Sequence, residues 1–138
     1  MTTKISYAIA FLLGLAMIFL GARFFFNPEA ATAAFGIRFN ANGDYSFHHI
    51  KGIRDIFSGI LLCALVLMNE RRAVGAMLFV ATIIPVSDMI TVLEKSYNGV
   101  QQAIPHIVAT IICSVVGILL LTTKAQIQTP FKKEAILN

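Results

Sequence analysis

Two stretches of this chain, residues 73–93 and 104–123, are apolar around their whole circumference apart from a few small hydroxyl residues and one ionisable group each, Asp88 and His106. A helix on the surface of a soluble bundle needs polar residues on about half of its circumference, so a soluble bundle is excluded. Composition agrees. Of 138 residues, 57% are hydrophobic and 13% charged, against roughly 25% charged in an ordinary soluble domain. The length suits one domain, and no stretch outside the apolar runs is long enough to bury a core of its own.

The expected fold is all-α: an integral membrane four-helix bundle with spans at about 5–23, 47–68, 73–93 and 104–123 and a short interfacial helix in the first loop. Each run is near the ~20 residues that cross a bilayer as a helix. Lys4 ahead of the first run resembles a signal peptide, but the run is long for one and no small-x-small site follows at the right distance, so it is read as a span. Ala10 and Gly14 have the small-xxx-small spacing of close helix packing. After it, Asn27-Pro28-Glu29 is a helix-start signal: a capping Asn, Pro at the first helical position and an acid in the first turn. The piece ends at Gly36, Asn42-Gly43-Asp44 makes a turn, and Asp44 or Ser46 can cap the next helix. Phe24, Phe25, Phe26, Phe35, Phe39, Tyr45 and Phe47 suit headgroup depth. Asn69-Glu70-Arg71-Arg72 is a polar turn, and the tail from Lys124, with Lys132 and Lys133, is basic.

The net charge of +4 does not indicate nucleic acid, because the cations flank apolar segments instead of forming a stripe with aromatic partners. The expected partners are the lipid bilayer and either a lipophilic small molecule or another membrane subunit. With both termini cytoplasmic, Lys4, Arg71, Arg72, Lys124, Lys132 and Lys133 lie inside, and Arg23, Arg38, Lys51, Arg54 and Lys95 outside. Counting Lys51 and Arg54 as embedded pocket residues strengthens that orientation.

In any arrangement of four alternating spans, the end of the first, the start of the second, the end of the third and the start of the fourth share one side. Those places hold Arg23; then His48, His49, Lys51, Arg54 and Asp55; then Asp88; then His106. Charges facing lipid cost several kcal/mol, so these groups are expected to converge in one polar pocket. Lys51, Arg54, Asp55 and Ser58 stand at i, i+3, i+4 and i+7, which puts them on one helix face. On the fourth run His106, Thr110, Cys113 and Gly117 line up behind Pro105, and on the third Pro85 removes a backbone bond one turn before Asp88.

Two readings of these residues stand side by side. Arg54 and Asp55 form a structural ion pair, with Asp88 as a second carboxylate, simply so that embedded charges are tolerated. Alternatively, Asp55, Asp88 and His106 are acid/base groups, with Arg54, Lys51, Asn27, Arg23, Ser58 and Thr110 contacting a ligand. For His106 the plain reading is a hydrogen bond to a backbone carbonyl or to Asp88, and the functional one is a proton relay. His48-His49 lies near water and is not a metal pair; Cys63 and Cys113 are small buried hydrophobes. Without a Gly-rich phosphate loop, nucleophile elbow, HExxH or CxxC motif, neither cofactor nor metal is expected.

The order Asn27-Pro28, Gly52-Ile53-Arg54-Asp55, Pro85-Val86-Ser87-Asp88 and Pro105-His106 resembles the small four-helix DoxX-like membrane proteins, in particular an uncharacterised bacterial and fungal branch that is a domain of unknown function. The likeness covers about Gly14 to Leu121. It implies a four-helix membrane bundle. Some DoxX proteins are subunits of quinone-linked sulfur oxidation, but no redox centre or catalytic residue carries over to a position here. Three functions follow as expectations: a lipophilic-ligand-binding or accessory membrane subunit; an intramembrane acid–base enzyme, isomerase- or cyclase-like or quinone-linked; and a proton-coupled exporter. The last is disfavoured because four-span exporters of this length carry an embedded acid in the first span, which this chain lacks.

Overall fold

A computed structural model describes residues 2–38 and 42–123. The basic tail from Lys124, with Lys132 and Lys133, and Phe39 of the first loop lie outside the described residues. Those described are all-α, with helices α1 (Thr2–Phe26), α2 (Pro28–Phe35), α3 (Ser46–Leu67), α4 (Arg71–Ala81), α5 (Ile83–Leu93) and α6 (Val100–Thr122). Three stretches are long and apolar enough to cross a membrane: Thr3–Phe26, Arg71–Leu93 and Val100–Thr122. α3 is 22 residues long but carries Lys51, Arg54 and Asp55 within its apolar run.

The ends of these helices follow from local chemistry. Arg23 does not close α1; a cation in the last turn suits the negative end of the helix dipole, and the helix continues to Phe26. Asn27 then caps α2, its side-chain oxygen accepting from the Ala30 N–H at 3.2 Å. Gly36, at φ 92°, ends α2 in the left-handed conformation that glycine adopts without strain. Asp44 accepts from the Ser46 N–H at 2.9 Å and so satisfies an orphan donor of α3. Pro85 has no N–H to offer Ala81, and the run 71–93 breaks at Thr82 into α4 and α5. Pro105 does not start α6. That helix begins a turn earlier, where the Gln102 side chain accepts from the Gly99 N–H at 2.9 Å.

α1 and α3 pack along one another antiparallel, and α4 and α5 both pack on α6; the two groups meet mainly through α1 with α6 and α3 with α4. Glycines set the closeness of each pair. A Cβ at Gly14 would sit 2.9 Å from the Gly59 carbonyl oxygen, and one at Gly52 would sit 2.8 Å from that of Gly21. Gly75 and Gly117 are apposed in the same way, a Cβ on Gly75 falling 3.1 Å from the Gly117 oxygen. Small residues of this kind let helix backbones approach where no hydrophobic drive between helices exists. Arg71 joins the second pair at the same end, its guanidinium donating to the carbonyls of Leu120 (2.9 Å) and Thr123 at the C-terminus of α6.

The dry core is Ala10, Leu62, Val74, Leu78, Val116 and Leu120, with Tyr7, Leu13, Met77 and Cys113 packed against it. It occupies the half of the molecule formed by the start of α1, the end of α3, the start of α4 and the end of α6. The outer circumference is apolar, with Leu12, Phe19, Phe57, Ile83 and Ile111 all exposed. Such a surface is suited to lipid and not to water. The first loop is tied down at the opposite end: Tyr45 donates to Glu29 at 2.6 Å, Asn98 donates to the Gly36 carbonyl at 2.6 Å, and the Arg38 guanidinium lies 4.5 Å from the Tyr97 ring centroid. Donation to Glu29 raises the Tyr45 phenol above its usual pKa.

Enlarging the glycine seam is expected to break the first pair. Gly59→Leu should destabilise by about 2 kcal/mol or more, the scale of core overpacking, read as a fall in thermal midpoint of detergent-purified protein. Gly99→Ala, whose added Cβ meets nothing closer than 3.9 Å, should shift it by less than about 0.5 kcal/mol.

Candidate functional site

Between the two helix pairs, in the half not filled by the dry core, lies a cavity of about 300 Å³. Leu13, Met17, Leu20 and Arg23 line it from α1; Lys51, Asp55, Ser58 and Leu62 from α3; Met77, Leu78, Pro85 and Asp88 from α4 and α5; and His106, Ala109 and Cys113 from α6. From Lys51 to Leu62 the lining runs about 16 Å along α3. The wall is apolar over most of that length, and its ionisable groups gather at the end nearest the first loop. α2 lies over that end and contributes Ala31, Ala34 and Phe35 to the wall.

Six of the nine residues expected at a site line this one cavity: Arg23, Lys51, Asp55, Ser58, Asp88 and His106. Lys51 Nζ and Asp55 Oδ2 are 2.7 Å apart, an i,i+4 pair with side chains 27% and 21% exposed. The ammonium also sits 4.9 Å from the ring centroids of both Phe24 and Phe35. Charge–π attraction of this kind contributes about 0.5–2 kcal/mol, more as water is excluded. Across the cavity Asp88 Oδ2 faces His106 Nδ1 at 3.9 Å, too far for a hydrogen bond.

The other ring nitrogen of His106 fixes its tautomer. Nε2 lies 3.0 Å from the Phe35 carbonyl oxygen, and a carbonyl can only accept, so Nε2 carries the proton. Nδ1 therefore points at Asp88 either as a lone pair or as a second N–H. The Phe35 ring meets the imidazole edge-on, with centroids 4.6 Å apart, and completes the contact between α2 and α6.

Three expected site residues are elsewhere. Arg54 is exposed beside Ile50, Ile53 and Phe57 and does not line the cavity. Helix geometry explains the difference. At 100° per residue, Lys51, Asp55, Ser58 and Leu62 cluster around one direction, and Arg54 lies about 70° from its centre. The expected convergence of Arg54 with Asp55, Asp88 and His106 is thus corrected; Lys51 and Arg23 are the cations at the cavity. Asn27 is exposed and engaged in capping α2. Thr110 lies off the cavity and donates to the His106 carbonyl at 2.8 Å. Ser58 lines the wall, yet its hydroxyl likewise bonds one turn back, to Arg54 O at 2.9 Å.

His48 is also corrected. It is 4% exposed, set between the rings of Tyr45 and Phe24 at 5.5 and 6.3 Å, whereas His49 stacks on Phe25 at 5.0 Å. Sequence reasoning missed α2 as a wall of the site. Phe35 supplies a carbonyl acceptor and a ring face, and only the fold brings these to His106 and Lys51. The Asn27-to-Gly36 segment was recognisable as a helix, but nothing in it tells which way that helix leans.

A family profile described as a domain of unknown function (DUF4267) matches residues 14–120. The chain belongs to this family. The match takes in the glycine seam, α2 and every residue lining the cavity except Leu13. No curated protein and no solved structure matches the chain.

Removing one partner of the Lys51–Asp55 pair should cost more than removing both. Lys51→Met is expected to lower stability by about 1–3 kcal/mol by stranding a half-buried carboxylate. Lys51→Met combined with Asp55→Leu should recover most of that loss. A double-mutant cycle on thermal midpoints measures the coupling.

Proposed function

We propose that this DUF4267 chain is a four-span membrane bundle that holds a lipophilic, amphiphilic small molecule between its helix pairs, as a binding protein or as an accessory subunit of a membrane assembly. The observation that supports this reading most directly is the polarity of the cavity: an apolar wall running about 16 Å, with ionisable groups confined to one end. A ligand pocket is mostly apolar with a few placed polar groups that fix orientation. α3 acts as the fourth span; its Lys51 and Asp55 face the cavity and each other, which lowers the cost of carrying charge through hydrocarbon. In this reading α2 lies at the interface, both termini are cytoplasmic, and the polar end of the cavity is toward the other side. The order of motifs keeps the likeness to DoxX-like proteins as part of the proposal.

Native mass spectrometry of protein extracted from membranes in mild detergent tests this. A discrete lipophilic adduct is expected at about one per chain. Ala109→Phe, which projects a ring into the cavity, should lower its occupancy roughly tenfold or more while the thermal midpoint is retained. Protein that carries no adduct, and takes none up from added lipid extract, would oppose the reading.

A second reading is favoured by the facing of His106 Nδ1 and Asp88 across 3.9 Å. An imidazole and a carboxylate facing each other beside an apolar cavity suit acid–base work on a lipophilic substrate. Asp88→Asn separates the two readings. Adduct binding should survive it in a binding protein, and a proton-transfer activity lost with the adduct retained would establish the enzyme.

A further inference from the structure

Taken together, the charges around the cavity narrow the chemistry of its occupant. Lys51 is matched by Asp55 at 2.7 Å, and Asp88 is opposed by His106. Arg23 is different. Among the described residues no carboxylate lies within ion-pair distance of its guanidinium, and its one protein acceptor is the Ala30 carbonyl at a long 3.5 Å. A guanidinium offers five N–H donors in a planar fork and stays charged at any physiological pH. Left unmatched at the end of an apolar cavity, it is an expensive group. A ligand that supplies one negative charge there would neutralise it.

The size of the cavity limits the rest of the ligand. At about 300 Å³ it is at the lower end for small-molecule pockets, which suits one alkyl chain and not two. Its length of about 15 Å from Arg23 to Leu13 is half of a ~30 Å hydrocarbon core, so a chain lying in it spans a single leaflet. The head is limited by charge. A phosphate monoester carries about −1.5 to −2 and would bring surplus negative charge beside Asp55 and Asp88. A carboxylate brings one charge in a planar shape that meets the guanidinium fork with two parallel bonds.

Resting on the ligand-binding reading above, we infer that the cavity takes a long-chain carboxylic acid, its carboxylate on Arg23 and its chain running toward Leu62 and Cys113. α2 then screens the head from water, since Ala31, Ala34 and Phe35 lie over that end. Lys51, held by Asp55 and by two aromatic rings, sets the width of the opening and does not carry the ligand's charge.

The test uses the full chain in nanodiscs of zwitterionic lipid, with empty nanodiscs subtracting partition into the bilayer. Palmitate, the neutral alcohol hexadecanol and palmitoyl lysophosphatidylcholine are compared by displacement of a fluorescent fatty acid. Palmitate is expected to bind roughly tenfold or more tighter than hexadecanol, the range for a hydrogen-bonded charge. Arg23→Gln should erase that preference and leave hexadecanol binding unchanged, and Arg23→Lys should keep part of it. Because the readout is a ratio within one variant, a misfolded variant, which loses both ligands, is recognised as such; Arg23→Lys then carries the comparison. Equal binding of palmitate and hexadecanol, tighter binding of the lysophospholipid, or a preference untouched by Arg23→Gln would each overturn the carboxylate assignment and leave alkyl-chain binding standing. If none of the three probes binds above empty nanodiscs, the ligand-binding reading falls with it.

Discussion

The close approach of backbone to backbone along the glycine seam is what the rest of this molecule depends on. Gly14 with Gly59 and Gly21 with Gly52 leave no room for even a methyl group between α1 and α3. Helices that meet through backbone need no interdigitating side chains on the meeting face, and a pair surrounded by lipid would have no hydrophobic effect to hold it together. Dispersion over the short separation does that instead. The larger side chains of α1 and α3 are then free to point either to the outside or toward the second pair. Gly75 and Gly117 repeat the device there. Two tight pairs joined by a dry core at one end leave a space at the other, and that space is the cavity.

The ionisable groups follow from the same constraint. In hydrocarbon, an isolated charge cannot be offset by water, so each embedded group must find a partner or reach a polar layer. Lys51 finds Asp55 on its own helix, whereas Asp88 and His106 come from different helices that both pack near the loop end of the cavity. His106 is further constrained through the Phe35 carbonyl, which binds the orientation of a residue in α6 to the seating of α2. Whatever moves α2 therefore bears on the orientation of the His106 ring. α2 is held at three places, by Glu29 to Tyr45, by Gly36 to Asn98 and by Arg23 to Ala30. The lid of the cavity and its polar end are in this sense one unit.

Much of this was legible residue by residue. The apolar runs, the Asn27-Pro28 start of α2, the Gly36 stop and the break ahead of Asp88 all depend on chemistry within a few positions of the residue concerned, and α2 and the helix break at Thr82 are where that chemistry puts them. The grouping of ionisable residues was partly legible too: Arg23, Lys51, Asp55, Asp88 and His106 stand near helix ends in the sequence and line one cavity in the fold. What misled was the fine angle around a helix axis. Lys51, Arg54, Asp55 and Ser58 share a broad stripe, but a cavity a few ångströms wide samples less than that stripe, and Arg54 falls outside it. Pro105 misled in a different way: it lies inside α6, past the first turn, where it removes one backbone bond without ending the helix, and the Gly99–Gln102 interaction set the true start.

By itself the sequence determined which segments are helical, that three runs are long and apolar enough to cross a membrane, and near which helix ends the ionisable side chains stand. These are consequences of local propensity, of period and of the poor solvation of charge by hydrocarbon, and none of them needs a neighbour. Tertiary structure alone decided which cation reaches the cavity, that the carbonyl and ring of Phe35 complete it, and that among the described residues no carboxylate pairs with Arg23. Those outcomes depend on how far each helix is rotated and how closely each pair approaches, quantities set by glycine contacts between segments up to about forty-five positions apart.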